Sequence, residues 1–351
     1  TGKTALGPIT YTRRSTWKGN SMTAAFRDAA AAATWKGNEV VTLEAGYQTV
    51  AGTSPTLRKL LTAYLKAPKR ERDSGGGLRG ELKAVIEASD FAGSRMERRT
   101  CAFWPSLGSF DFNTAVHLVG NRLGFLDANI VCSDAVGTLT LPYNQIIGDP
   151  ALAYGATDRP ADVLDAICKI MGRVWGINAS GQLFTSAPPA YGGTPDFVLD
   201  SDTTTEADII RYFESERDMA EFANSVYSIT GPEGFRQFGW AQDTASQDTD
   251  TADDFVGDPL QFAEIIEKAW AAAATLATAT LARRATFSHQ LLWRPIKAQA
   301  LDPGMFVKAQ LDTSDVPTDS VFLLVEEVGE FDPLPGNQFG WKQTWKGVRV
   351  A

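Results

Sequence analysis

The chain has 351 residues, 44% hydrophobic and 21% charged, with 33 Lys/Arg against 42 Asp/Glu and a formal net charge of −9. That length holds two or three domains with a real core, the composition is that of a globular protein, and the acidity argues against tight nucleic-acid binding. No apolar run approaches the ~18 charge-free residues of a membrane span, and no signal-peptide pattern opens the chain, which begins without Met, as after processing or trimming.

The charge is unevenly spread. Residues 1–100 carry 17 Lys/Arg and 9 Asp/Glu, a balance of +8, while residues 101–351 carry 16 and 33, a balance of −17. Two unlike faces suit head-to-tail or ring assembly; drift in surface charge is the plain alternative. Cys101, Cys132 and Cys168 are widely spaced and form no CxxC pair, which points to free buried thiols in a reducing compartment, not to a disulfide frame or zinc site. His117 and His289 leave little room for a His-based metal or triad centre.

In chain order, residues 1–20 read as loop and strand-like. Gly2-Lys3-Thr4 matches the end of a phosphate loop but lacks the upstream glycine and the strand before it. Thr16-Trp17-Lys18-Gly19-Asn20 recurs as Thr34-Trp35-Lys36-Gly37-Asn38, and its first four residue types recur as Thr344-Trp345-Lys346-Gly347. Lys-Gly-Asn is turn chemistry, so the copies read as strand ends in a β-domain, with a ligand-binding Trp as the sharper alternative. Residues 22–33 are Ala-rich and favour helix by propensity, with strand open if pairing overrides it. Residues 39–47 read as a strand. Residues 55–66 read as a helix capped by Ser54, with Leu57, Leu60, Leu61, Tyr64 and Leu65 on its apolar face. Residues 69–80, with Gly75-Gly76-Gly77 beside Arg72 and Arg79, read as an exposed flexible loop.

Residues 82–88 read as a strand, and Arg95, Arg98 and Arg99 as a solvated or subunit-facing basic patch. Val116, Val119 and Leu123 mark a short helix over 113–123, weakened by Gly120. His117 reads as a packed, hydrogen-bonded histidine. Short strands follow at 129–132, 137–141 and 144–147, then a linker at 151–157. Residues 158–186 form a unit: a helix with Val163, Leu164, Ile167, Ile170 and Met171 on one face, then a β-hairpin across Ala179-Ser180-Gly181. Residues 197–199, 209–216 and 223–231 read as strands. Residues 241–258 hold six aspartates and read as a solvated loop; 248–253 lacks the Gly and Glu of a calcium loop. Asp258-Pro259 opens the best helix in the pattern, to about Phe287, roughly 27 residues and so about 40 Å long. Phe262, Ile265, Ile266, Trp270, Ala273 and Leu276 form its stripe. After it come a turn at Asp302-Pro303-Gly304 and strands at 305–311, 321–328 and 341–350.

Several of these segments, taken in order, resemble a known family. They are Asn38-Glu39-Val40-Val41-Thr42-Leu43; Val85-Ile86-Glu87-Ala88-Ser89-Asp90 with its basic stretch; the unit 162–184; Phe222-Ala223-Asn224-Ser225-Val226-Tyr227-Ser228-Ile229-Thr230-Gly231; the long helix; Leu301-Asp302-Pro303-Gly304-Met305-Phe306-Val307; and the closing strand. The chain from about 39 to 350 thereby resembles the tail hub (baseplate hub) proteins of tailed bacteriophages and gene-transfer particles, through order and spacing more than through any single motif. The Ala-rich segment before Trp35 departs from the strand that such a pattern places there.

The resemblance implies β-barrel domains that join as a threefold ring and continue the tail tube. It also implies assembly in the host cytoplasm into a virion tail. The partners would be other copies and the distal tail, tube, fibre or spike proteins, with DNA passing the channel unbound. It carries over no catalytic, cofactor-binding or metal residue, and the residues themselves assemble none: no carboxylate pair has a distinctive glycosidase context. The expected class is α+β, a β-barrel-rich multidomain hub with one long helix. The expected blocks are 1–100, a first β-rich ring domain with an exposed Gly-rich loop; 101–160, an α/β middle segment; 161–240, a helix plus β-hairpin domain; and 241–351, the long helix and closing strands. A structural, non-enzymatic virion protein is the leading function. A tail-tip adhesin or carbohydrate-binding module is the alternative, on the strength of nine Trp and many loops.

Overall fold

The computed structural model describes residues 8–15, 19–26, 39–47, 56–66, 69–72, 82–90, 111–135, 137, 159–200, 210–218, 223–231, 236–244, 262–267, 273–284, 288–295, 299–310, 320–334 and 338–350. Strands β1 (Ile9–Arg14), β2 (Ser21–Phe26), β3 (Val40–Tyr47), β4 (Thr56–Leu65), β5 (Lys69–Arg72) and β6 (Leu82–Ser89) come first. Next are α1 (Phe112–Leu123), β7 (Ile130–Cys132), α2 (Pro160–Ile170), β8 (Val174–Ile177), β9 (Leu183–Ser186), β10 (Phe197–Asp200) and β11 (Ile210–Asp218). The last third holds β12 (Ser225–Thr230), β13 (Gln237–Gln242), β14 (Phe262–Glu267), α3 (Ala273–Arg284), β15 (Ser288–Pro295), β16 (Phe306–Gln310), β17 (Ser320–Leu334) and β18 (Gln338–Arg349). The β-rich α+β class is therefore the one the sequence led us to expect.

A twelve-stranded sheet runs β11-β15-β18-β17-β1-β2-β6-β4-β3, with β5 also on β6, β16 on β17 and β10 on β16. Its spine is the antiparallel β17–β18 hairpin. The other edge of β17 is shared: residues 320–323 pair with β16, and residues 326–331 pair with β1. The first and last strands, β1 and β18, thus lie in one sheet. One apolar core gathers Tyr11, Met22, Leu43, Leu60, Leu61 and Ile86. A second gathers Leu199, Leu291, Trp293, Val307, Phe322 and Trp345.

Two three-stranded sheets complete the fold, β13-β12-β14 and β7-β9-β8. The second carries α1 and α2 on a core of Phe112, Val116, Val119, Val163, Leu164, Ile167, Trp175 and Leu183. Asp111 caps α1 by accepting from Thr114 N at 3.2 Å. Gly120 sits in that helix because a Cβ there would fall 2.6 Å from Ile130 Cδ1. The unit docks on the outer face of β4, where Thr62 Oγ1 donates to Ala179 O at 2.7 Å and Tyr64 packs against its core.

Four expectations are corrected. Residues 55–66 are not a helix: β4 pairs along its length with β3. From Leu60 to Ala63 every residue is buried: a bulge at Leu60 turns both Leu60 and Leu61 into the first core with Ala63, and Thr62 meets the docked unit. Burial on both sides erases strand alternation and leaves helix-like spacing. Residues 69–72 are a strand on β6, not part of a loop. The long helix is not continuous: residues 262–267 are β14, parallel to β12, and among the described residues of that run the helix is Ala273–Arg284. Isoleucines at 265 and 266 favour strand, and pairing to β12 satisfies the backbone. Among the described residues the α-helices are thus α1, α2 and α3, of 11 or 12 residues each, and not one long one. Lastly, the third Thr-Trp-Lys-Gly copy lies inside β18, with Trp345 0% exposed and stacked on Trp293 at 6.4 Å, not at a strand end.

Of residues 22–33, 22–26 are strand; the rest lie outside the described residues. Gly2-Lys3-Thr4, the second Trp copy, Gly75-Gly76-Gly77, the Arg95–Arg98–Arg99 patch, Cys101, residues 138–141 of the strand expected at 137–141, the strand at 144–147 and the acidic stretch 248–253 also lie outside them.

Candidate assembly site

The two cores of the large sheet meet at a polar seam. In register across β1, β17 and β18 run three rows: Ile9–Phe331–Trp341, Tyr11–Gly329–Gln343 and Arg13–Glu327–Trp345. Side chains two apart on a strand share a face, so these rows line the inner face together. The first row belongs to the first core, and Trp345 to the second. Gly329 is required between them, since a Cβ there would fall 2.1 Å from the Tyr11 ring.

Glu327 is 0% and Arg13 1% exposed, so each charge needs a partner. Arg13 Nε donates to Glu327 Oε2 at 2.6 Å, and Arg13 Nη2 also pairs with that oxygen. Glu327 Oε1 accepts from Tyr11 Oη at 2.5 Å and from Gln343 Nε2 at 2.7 Å. Trp341 Nε1 donates to Tyr11 Oη at 2.9 Å. Gln343 continues the chain of bonds, donating to Gln299 O at 3.1 Å and accepting from Gln299 N at 2.5 Å. Arg13 Nη1 reaches Asp302 Oδ1 at 2.6 Å, and Arg13 Nη2 reaches Leu301 O at 3.0 Å. Arg58, from β4, donates to the same carbonyl at 2.9 Å and pairs with Asp302. Two arginines of the first core therefore clamp the Asp302-Pro303-Gly304 turn that feeds β16 of the second.

Burial pushes the Tyr11 phenol well above its ordinary range, and the Glu327 charge adds to the effect. Burial alone would lower Arg13, but Glu327 and Asp302 outweigh it and raise its pKa. Both Glu327 oxygens are engaged and closed to solvent. The seam's chemistry is that of a hydrogen-bonded lock between two β-cores.

His117 is half-buried at the surface, with Nδ1 3.0 Å from Asp127 Oδ1; it is hydrogen-bonded as expected but not enclosed in the core. That bond, with a second from Asn121, holds the Asp127 carboxyl below its ordinary value. Cys132 and Cys168 are free thiols, half-buried and buried. Among the described residues no group of three His, Cys, Asp or Glu is placed to hold a metal ion, and no helix is long and apolar enough to cross a membrane. Of the seam, the sequence singled out Asp302, as a turn residue, and Trp345, as a strand-end Trp. A signal existed: β1 and β17 each carry one charge of opposite sign among the apolar residues of one face.

No protein-family model and no curated protein matches the sequence. Solved structures do match its fold. A tail protein from Neisseria meningitidis MC58 superposes with a TM-score of 0.64 at 12% identity, covering 98% of this chain and 91% of its own. The 43 kDa tail protein of prophage MuSo2 from Shewanella oneidensis gives 0.58 at 10% identity, with 99% and 94% covered. An E. coli component of the type VI secretion system, described as structurally similar to the T4 bacteriophage tail proteins gp27 and gp5, gives 0.54 at 10% identity, with 100% and 75% covered. The chain shares this fold from end to end.

Proposed function

We propose that the chain is a structural protein of a phage-type tail, a hub ring that continues the tail tube and joins it to tip, fibre or spike proteins. One observation carries the reading: a fold match over 98% of this chain and 91% of a tail protein. The seam fits that role. A ring subunit must hold its β-cores in fixed relation, and a fully bonded buried network sets one arrangement. The fold would serve as scaffold, without catalysis, in a threefold ring within the virion tail, assembled in the host cytoplasm. With a net charge of −9, an acidic channel would let DNA pass without sticking; a channel lined mainly by Lys and Arg would sink that point. The experiment is immunogold labelling of tail particles assembled with this chain. Gold confined to one tail end is expected. Gold along the tube, on the capsid, or absent from particles contradicts the reading.

A further inference from the structure

The unit of α1, α2 and β7–β9 carries its own core, drawn from residues between Phe112 and Leu183. Its contact with the large sheet is narrow. On the outer face of β4, Thr62 is 7% exposed beneath the unit and Tyr64 is half-buried against it. Their partners in register on β3, Thr42 and Val40, stay exposed, as do Leu57 and Lys59 further along β4.

What touches Thr62 is the hairpin turn between β8 and β9. Thr62 Oγ1 donates to Ala179 O at 2.7 Å. Gly181, at φ +78°, lies so close that a Cβ there would fall 2.9 Å from Thr62 Cγ2. The turn is also bonded to itself. Asn178 N donates to Gln182 O at 3.0 Å, and Gly181 N donates to Asn178 O at 2.9 Å. Asn178 Oδ1 accepts from Ser180 N and from Gln182 N, each at 3.0 Å. The turn therefore keeps its shape whether or not β4 lies against it.

The way out of the unit is built for bending. Residues 187–196 run from β9 to β10, and each of them is exposed or half-buried. Tyr191 leans on Phe306 at 5.5 Å between ring centroids, and Asp196 ties the far end to β16 by accepting from Phe306 N at 2.7 Å. Between these two anchors stand Gly192 and Gly193, the second at φ +90°; before them lie Pro188 and Pro189. Domains joined by a small, partly polar contact move relative to one another, whereas a large apolar interface holds them still.

We propose that the unit undocks from β4 as a rigid body, turning on the 187–196 connection, with the Thr62–Gly181 contact as its latch. Hinge motions of this kind are absorbed by a few connecting residues while the packed parts keep their shape. Opening would join Thr62 and Tyr64 to Val40 and Thr42 as one uncovered face.

The test is thiol labelling of the native full chain with iodoacetamide over a series of urea concentrations below unfolding. Mass spectrometry reads it peptide by peptide, so that the native cysteines are counted apart. Thr62→Cys reports the latch. Ala63→Cys, 0% exposed in the first core, reports opening of the sheet itself. Leu57→Cys, at a position 56% exposed, sets the rate of an uncovered thiol. Circular dichroism melts establish that each variant is folded; if Ala63→Cys is not, Ala88→Cys, 2% exposed in the same core, replaces it. The Thr62 thiol should label at least about tenfold faster than the core thiol, because a local opening costs less than opening the sheet. Its rate should hardly change with urea, since undocking uncovers little surface. A smaller ratio, or the same steep urea dependence at both positions, overturns the proposal, because unit and sheet would then open together. A Thr62 thiol that labels as fast as the one at position 57 overturns the latch.

Discussion

The unit of α1, α2 and β7–β9 and the seam of β1, β17 and β18 are both fixed assemblies, built by opposite means. The unit is held by an almost wholly apolar core whose members lie within one stretch of chain, Phe112 to Leu183. The seam joins Arg13 to Glu327, 314 positions apart, through charges and hydrogen bonds. Apolar packing is non-directional and tolerates exchange of similar volumes. A buried charge pair tolerates no loss of a partner, because the remaining charge cannot regain water. The unit therefore supplies cohesion, and the seam supplies a single arrangement of the two β-cores.

That contrast can be broken at several points. Arg13→Met strands Glu327 in the interior and should cost about 3–5 kcal/mol, read as a lowered denaturant midpoint. Adding Glu327→Met should recover part of the loss, since an apolar pair replaces a broken ionic one. A loss below about 1 kcal/mol for the single change would mean the seam is not the lock described. In the unit, Leu164→Ala should cost about 2–5 kcal/mol through the cavity it leaves, and Leu164→Met less than about 1.5 kcal/mol. If Leu164→Met were as damaging as Leu164→Ala, the contrast in tolerance would fail. Gly329→Ala should cost about 1–3 kcal/mol as Tyr11 is forced from its place, visible as loss of near-ultraviolet aromatic signal.

The smallest effect is alkaline. Tyr11 titrates above its ordinary value of 10.0 in the fold, so the folded chain holds its proton more tightly than the unfolded one. Its contribution is complete below about pH 10 and is lost as pH rises toward the folded value. Stability of the wild type should thus fall more steeply above pH 10 than that of Tyr11→Phe. Parallel curves would contradict the coupling.

Legibility followed the same divide. The unit was readable because its helix spacing and hairpin turn are local: Val116, Val119 and Leu123 on one helix, Val163, Leu164 and Ile167 on the other, and a turn at Gly181. The β4 strand was not, because a bulge at Leu60 puts two adjacent leucines in one core and Tyr64 packs on the opposite face, so that with exposed Leu57 the apolar residues take the spacing of a helix. The β14 strand was hidden by an Ala-rich continuation that is helix at Ala273–Arg284. Most of the seam could not be read in advance, since no local pattern says which of 33 basic residues faces which of 42 acidic ones. Asp302-Pro303-Gly304 was visible as a turn, but not as the turn that two arginines clamp.

The most direct test is a reconstruction of the tail end of particles assembled with this chain. The account predicts three copies in a closed ring on the tube axis, each with β1, β17 and β18 joined at the seam. A chain found off the axis, or as isolated projections at the tip, would contradict it.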